Sequence, residues 1–391
     1  MASAATELPG GLQLPQFKGR PGWEFTDISG LDLAAYERVV SDGTPAAAVP
    51  VFDLPGDAEG LPDGVIVSSL DDAMAEHGEL VQRHLGSLVS ADTDAFVALN
   101  DAGIRDTVLV YVPRGVAVPA PISLTSVQSR SGTLLNRRTL IVLEEGAQAD
   151  VWEQYLSADE ELDGVFNTVV ELILGDNAKL RFVSGQDLSE RSWVFGTHRA
   201  EVGRDAALDW VALGFGSAQG HVRMETRLSG QGADARVTGA YATHGRQHID
   251  FDTTQEHAAP NTTSDLAFRG VLQGRSSAVW KGNIIVDPGA QKTDAFQESR
   301  NLLISKRAHA DAIPGLEIQA NDVRCTHAAA VAQVDPEQLF YLRSHGLPED
   351  AAKRLVIEGF LSALVERFPD GPVRETLAAA LERRLQLILA G

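Results

Sequence analysis

A chain of 391 residues, 44% hydrophobic and 22% charged, has the makeup of an ordinary globular protein with room for one large core or several smaller ones. Its formal net charge of −21 repels phosphate backbones, which proteins bind by neutralising them with Lys and Arg, and this argues against nucleic-acid binding. One cysteine excludes an internal disulfide framework, no apolar run approaches the roughly 18–20 residues that span a bilayer, and Met1–Gly10 lack the basic and apolar parts of a secretory leader, so a cytoplasmic location is expected.

Residues 1–105 read as a mixed helical region. Apolar clusters at Leu31–Tyr36 and Leu80–Val89 suggest short helices joined by irregular segments. The clearest helix is Ser69–Leu88, where Leu70, Met74, Leu80, His84 and Leu88 recur near helical spacing. Residues 41–64 are rich in Pro and Gly, which predicts a loop or exposed connection.

Residues 106–334 change texture to alternating β-branched runs such as Thr107–Val112, Leu140–Leu143, Val169–Leu174 and Gly282–Val286. Turns led by Gly146, Gly175, Gly203 and Gly230 follow one another at 29, 28 and 27 residues, whereas Gly274 and Gly289 break the spacing. Strand–turn–strand units at a near-fixed interval, without interleaved helices, predict a β-solenoid whose coils stack to complete one core. A β-sandwich of short strands is the competing fold.

Two places in this region have residues suited to metal binding. In His244–His257, the side chains of His244, His248, Asp250, Asp252 and Glu256 share one parity, and Ile249 and Phe251 share the other. That is ordinary amphipathic alternation with a polar face outward, and the pair His248 and Asp250 lacks a second, distant ligand. The other place is Cys325 and His327, which a strand puts on one face roughly 6.5–7 Å apart. A thiolate beside an imidazole can hold a soft metal. The same face carries Val323, Ala329 and Val331, so burial of both side chains in a core is the competing explanation.

The chain has no G-x-x-x-x-G-K-[ST] loop and no G-x-S-x-G elbow, so any nucleotide hydrolysis belongs to a partner. Acid pairs such as Asp287 with Asp294 and Glu144 with Glu145 read as solvated turn charges.

Residues 335–391 form a helical subdomain. Asp335 caps a helix with Pro336 at its first position, and that helix ends at Gly346. Pro348 opens a second helix, and a third spans Val373–Leu389 after the break at 369–372. Such a subdomain can cover the end coil of a solenoid. The apolar stripe through Phe340, Tyr341, Leu342, Leu355 and Phe360 reads mostly as its core, with part left exposed for a partner.

Four segments resemble the SufB/SufD family of iron–sulfur cluster assembly proteins: Trp23-Glu24-Phe25-Thr26, residues 257–264, residues 281–304, and residues 323–348 beginning Val323-Arg324-Cys325-Thr326-His327. The resemblance implies a right-handed parallel β-helix between helical termini and a non-enzymatic scaffold role. It implies a heterodimer with a SufB-like subunit, a self-dimer being the alternative. It also implies a SufC-like ATPase bound through the C-terminal helices, where Phe340, Tyr341, Leu342, Arg343, Leu355 and Phe360 are the candidates. The implied cargo is a transient iron–sulfur cluster shared at the subunit interface, with His327 as the main ligand and Cys325 second. Ser299 stands where SufB-type members carry the cluster cysteine, and Thr326-His327-Ala328 stands in place of their Glu-His-Glu, so the match is closer to SufD-type members. One thiol cannot supply a four-thiolate site, so other ligands must come from elsewhere. The competing function is a carbohydrate-active β-helix enzyme acting on acidic polysaccharide, which needs an open groove lined with carboxylates and basic groups.

Overall fold

The computed structural model describes residues 14–15, 22–41, 50–53, 60–103 and 106–390. Most of the loop expected at 41–64, and all of Met1–Gly10, lie outside the described residues. The N-terminal elements are β1 (Glu37–Val39), β2 (Ile66–Ser69), α1 (Leu70–His84) and α2 (Ala95–Ala102). Then come β3 (Asp106–Val112), β4 (Ile122–Gln128), β5 (Thr133–Leu143), β6 (Gln148–Ser157), β7 (Gly164–Leu174), β8 (Lys179–Asp187), β9 (Trp193–Val202) and β10 (Ala207–Gly214). They continue as β11 (Gln219–Leu228), β12 (Asp234–Thr243), β13 (His248–His257), β14 (Thr263–Leu272), β15 (Ser277–Val286), β16 (Asp294–Leu303), β17 (His309–Ile318) and β18 (Arg324–Gln333). Three helices follow, α3 (Pro336–Ser344), α4 (Glu349–Val365) and α5 (Pro372–Ala390).

From β3 onward the odd strands form one sheet and the even strands another, each strand pairing in parallel with the strand two places on. Parallel pairing between successive coils is what a solenoid requires, and it rules out the sandwich, whose hairpins would pair antiparallel. Among the described strands only β2 joins antiparallel, against β3. Inward side chains of both sheets fill one continuous lumen through Ile141, Leu172, Phe182, Leu208, Trp210, Val237, Phe251, Phe268 and Trp280.

The glycine spacing breaks because each coil has two corners. Gly146, Gly175, Gly203 and Gly230 follow odd strands and sit at one corner, where their amides bond to neighbouring coils, as Gly203 does to Leu174 O at 2.9 Å. Gly289 belongs to that corner, the coil between turning instead at Asn261, which has φ +58°. Gly274 lies at the opposite corner, where a Cβ would come 3.0 Å from the backbone N of Gly245, so only glycine stacks there without displacement.

The helical layers lie on the outer faces of the sheets. Leu70, Ala73 and Val81 of α1 pack on Leu109, Leu140 and Val142. Trp23 and, from α2, Phe96 and Leu99 pack on Leu134, Val165 and Phe195. The expected helix Ser69–Leu88 is interrupted at His77 (φ −136°) and ends at His84, because the single amide N–H of Gly86 donates to both carboxylate oxygens of Glu171 (2.9 and 2.8 Å), which holds the chain in a turn. Leu31–Tyr36 holds only one 3₁₀ turn, Leu33–Ala35, ahead of β1. Helix α2 was not legible, since Ala95–Asn100 are buried on every side and show no periodic stripe.

At the C-terminus, Ile357, Leu361 and Leu364 of α4 and Leu377, Leu381 and Leu385 of α5 pack against Val183, Val211, Ala240 and Ala267. The subdomain therefore covers the outer face of the even sheet and leaves the last coil uncovered, contrary to the expected end cap. Arg384 fixes it there. This side chain is buried and donates to Ala242 O (3.0 Å) and Gln247 Oε1 (3.1 Å).

Candidate functional site

Strand β18 stacks in register on β16, pairing Ala295 with Cys325, Gln297 with His327, Ser299 with Ala329 and Asn301 with Val331. Those four β16 residues are buried and face the lumen, so Cys325, His327, Ala329 and Val331 face the same way one layer up. Among the described residues no further coil lies above them. Cys325 is therefore only half-buried, against Ala295, Leu316 and Val323. His327, Ala329 and Val331 are exposed. Burial, assisted by the carboxylate of Asp294, pushes the Cys325 thiol above its ordinary pKa, keeping it protonated and unreactive in the lone chain.

The opposite wall of the last coil is β17, whose Ala310, Ala312, Leu316 and Ile318 stack on the lumen-facing Ala278, Trp280, Ile284 and Val286. Both β17 and β18 end their sheets, so each presents one unpaired edge of N–H and C=O groups. The open end thus combines an apolar rim, two free strand edges, a thiol and an imidazole. Sequence parity alone put Cys325 and His327 on one face. That the face is the lumen, and that Gln297 and Ser299 lie directly beneath, was readable only once β16 could be aligned with β18.

The other candidate region is sealed. Asp250 faces outward as its parity predicts, yet it is buried under the N-terminal segment. Thr26 Oγ1 donates to it at 2.7 Å, His221 Nδ1 meets the same oxygen at 3.0 Å, and the Trp23 ring covers His221 with centroids 4.2 Å apart. Burial pushes the Asp250 carboxyl up, but His221 and the hydrogen bonds from His221 and Thr26 outweigh it and hold the group below its usual range. His248 pairs with Ser277 Oγ at 2.8 Å. His257 faces the lumen with both ring nitrogens engaged, by Thr262 Oγ1 (2.8 Å) and Ser264 Oγ (2.9 Å), and burial lowers its pKa to about 4. Among the described residues, no three His, Cys, Asp or Glu side chains gather to hold a metal ion.

Two surface features bear on partners and substrates. No residue of α3 is buried, and Phe340 and Tyr341 are 75% and 62% exposed. That overturns the expectation that this part of the stripe is subdomain core. Arg343 and Leu355 are exposed as well, while Leu342 and Phe360 are half-buried, Phe360 beneath the Arg269 guanidinium at 5.0 Å. A groove of about 450 Å³ runs along the even sheet beside Ala117–Pro121. Two of its three lining carboxylates are engaged in a ladder, Arg181 with Asp150 (2.8 Å) and Asp209 (3.1 Å), and Arg236 with Asp209 (2.6 Å).

A parallel solenoid with an incomplete Cys–His pair at one open end can now be set beside known proteins. The family model for the SUF system FeS cluster assembly SufBD core domain matches residues 125–360, and that for the SufBD protein N-terminal region matches residues 52–124. The chain belongs to the SufBD family. It is similar to the iron–sulfur cluster assembly protein SufD of Bacillus subtilis, with 33% identity over 325 residues, 83% of this chain and 74% of the other. An iron–sulfur cluster assembly SufBD family protein of Mycobacterium tuberculosis is 32% identical over 303 residues, 75% of each chain. A chloroplastic protein of Arabidopsis thaliana is 29% identical over 327 residues, 81% of this chain and 68% of its own. This SufBD protein is thus a SufD-like member of an iron–sulfur cluster assembly family. No helix among the described residues is long and apolar enough to cross a membrane.

Proposed function

We propose that this SufD-like chain is a non-enzymatic scaffold subunit that lends His327, with Cys325 beside it, to a nascent iron–sulfur cluster completed by a second subunit docked on the open end. The single observation that carries the reading is the pair's place on the lumen face of a coil with no successor. In a closed coil those side chains would be core, and here they wait for a neighbour. One thiol and one imidazole cannot enclose a cluster, so the remaining ligands come from the partner. The partner is a SufB-like subunit, its own strand edges pairing with those of β17 and β18. A second copy of this chain would bring only the same two ligand types.

The exposed Phe340, Tyr341, Arg343 and Leu355, with Leu342 and Phe360 behind them, serve a SufC-like ATPase, since this chain has no phosphate loop of its own. Aromatic and Arg side chains left in water on one short helix are typical anchors of an interface. The carbohydrate reading loses its footing, because Asp150 and Asp209 of the surface groove are held in ion pairs and the chain's family assembles clusters.

The test is His327→Ala in a complex reconstituted with SufB-like and SufC-like proteins under anaerobic conditions. The variant should assemble normally and lose the visible absorbance of the cluster. An undiminished cluster yield would remove His327 from the site.

A further inference from the structure

Beneath His327 lies a buried carboxamide with an unmet acceptor. Gln297 is fully buried on the lumen face of β16. Its Nε2 donates to Gly282 O at 3.2 Å and Gly315 O at 3.1 Å, reaching across to the opposite sheet. Carbonyl oxygens only accept, so these two bonds fix which end of the amide is nitrogen. They leave Oε1 sealed with no partner, a costly state for a carbonyl in an apolar lumen. Gly282 keeps the space beside that oxygen clear, since a Cβ there would come within 2.7 Å of it.

Of the two side chains stacked on Gln297, one carries a donor. In register, Gln297 is flanked by Leu266 on β14 and His327 on β18, each about 4.8 Å away along the sheet. Leu266 has no N–H or O–H. Trp280 Nε1 is another partnerless donor of this lumen, but its ring is fully buried and fixed in the core and does not meet the oxygen. His327 does have an N–H. Its imidazole stands in solvent on the same face and turns about two single bonds.

We propose that Gln297 is a positioning residue for His327. It accepts one ring N–H through Oε1, fixes the neutral tautomer and aims the other nitrogen's lone pair out of the open end. The hydrogen bond concerns this chain alone, and its use in holding a cluster rests on the function proposed above. A ligand imidazole whose second nitrogen donates to a carbonyl is held in one tautomer and one orientation. Gln297 would supply that carbonyl before any partner arrives.

The experiment reads the tautomer in the full-length lone chain. Histidine is labelled with ¹⁵N, and the His327 signal is identified by its loss in His327→Ala. The wild type should show one predominant neutral tautomer. Gln297→Met, close in volume but without an acceptor, should shift the ratio about fivefold, the bias a single hydrogen bond provides. A second measurement leaves Gln297 intact, since removing the donor in His327→Ala should move the Gln297 side-chain carbonyl ¹³C resonance. Identical ¹⁵N patterns in wild type and Gln297→Met, or an unmoved carbonyl resonance in His327→Ala, would overturn the proposal. Because neither readout involves a cluster, full cluster yield from His327→Ala would sink the functional reading and leave this hydrogen bond standing.

Discussion

Strands β13 and β18 each offer metal-binding residue types, yet they meet opposite fates. On β13, Asp250 and His257 are buried and find their partners within the chain, from Thr26 and His221 and from Thr262 and Ser264, and half-buried His248 takes one from Ser277 through Nδ1. On β18, His327 is exposed and Cys325 half-covered. The chemistry of the residues does not separate them. What separates them is whether the next layer of protein is supplied by the same chain. A polar group completed from within is architecture, and one left incomplete at an open end is available to another molecule.

The comparison can be broken most forcefully with acid. Lumenal His198 is fully enclosed and held neutral by burial, its pKa lowered from 6.5 to about 3, and that of His257 is lowered to about 4. Depressed pKa values in the folded state mean that the stability these groups support is complete above about pH 6.5 and drains away as pH falls toward the folded values. His198 alone carries on the order of 5 kcal/mol across that window. Urea midpoints should therefore drop steeply between pH 6.5 and 4, and a flat profile would mean the interior imidazoles are not sealed. Next in size is Asp250→Ala, which strands buried His221 and Thr26 without their acceptor and should cost about 2–4 kcal/mol in urea unfolding. If it proved neutral, β13 would have to be regarded as a site and not as architecture. Smallest is His327→Ala, which removes an exposed side chain and should shift unfolding by no more than about 0.5 kcal/mol. A larger loss would place that imidazole among the structural groups of β13.

The amino-acid sequence reveals the solenoid because its two signals, strand alternation and glycine-led corners, are local. Gly146 to Gly230 report the coil length directly, and the apparent irregularity at Gly274 arises from reading two corners as one. Helix α2 escapes because total burial erases the periodic contrast that exposes a helix. The pairing of Cys325 with His327 follows from parity. Whether Asp250 is wet or dry depends on Thr26 and Trp23, more than two hundred residues earlier in the chain, and no local pattern carries that information. The position of the helical subdomain is equally hidden, since an apolar stripe on α4 specifies that it packs and not which surface it packs on. For the same reason Phe340 and Tyr341, read as core, stand in water.

A stack of coils draws much of its strength from neighbour upon neighbour, and the layer formed by β17 and β18 has a neighbour on one side only. Such an end rung costs less to open locally than one held on both sides. The two residues at issue are mounted on an end storey of the building, and a docking subunit that supplies the missing layer would stiffen them in the same event that brings its own ligands.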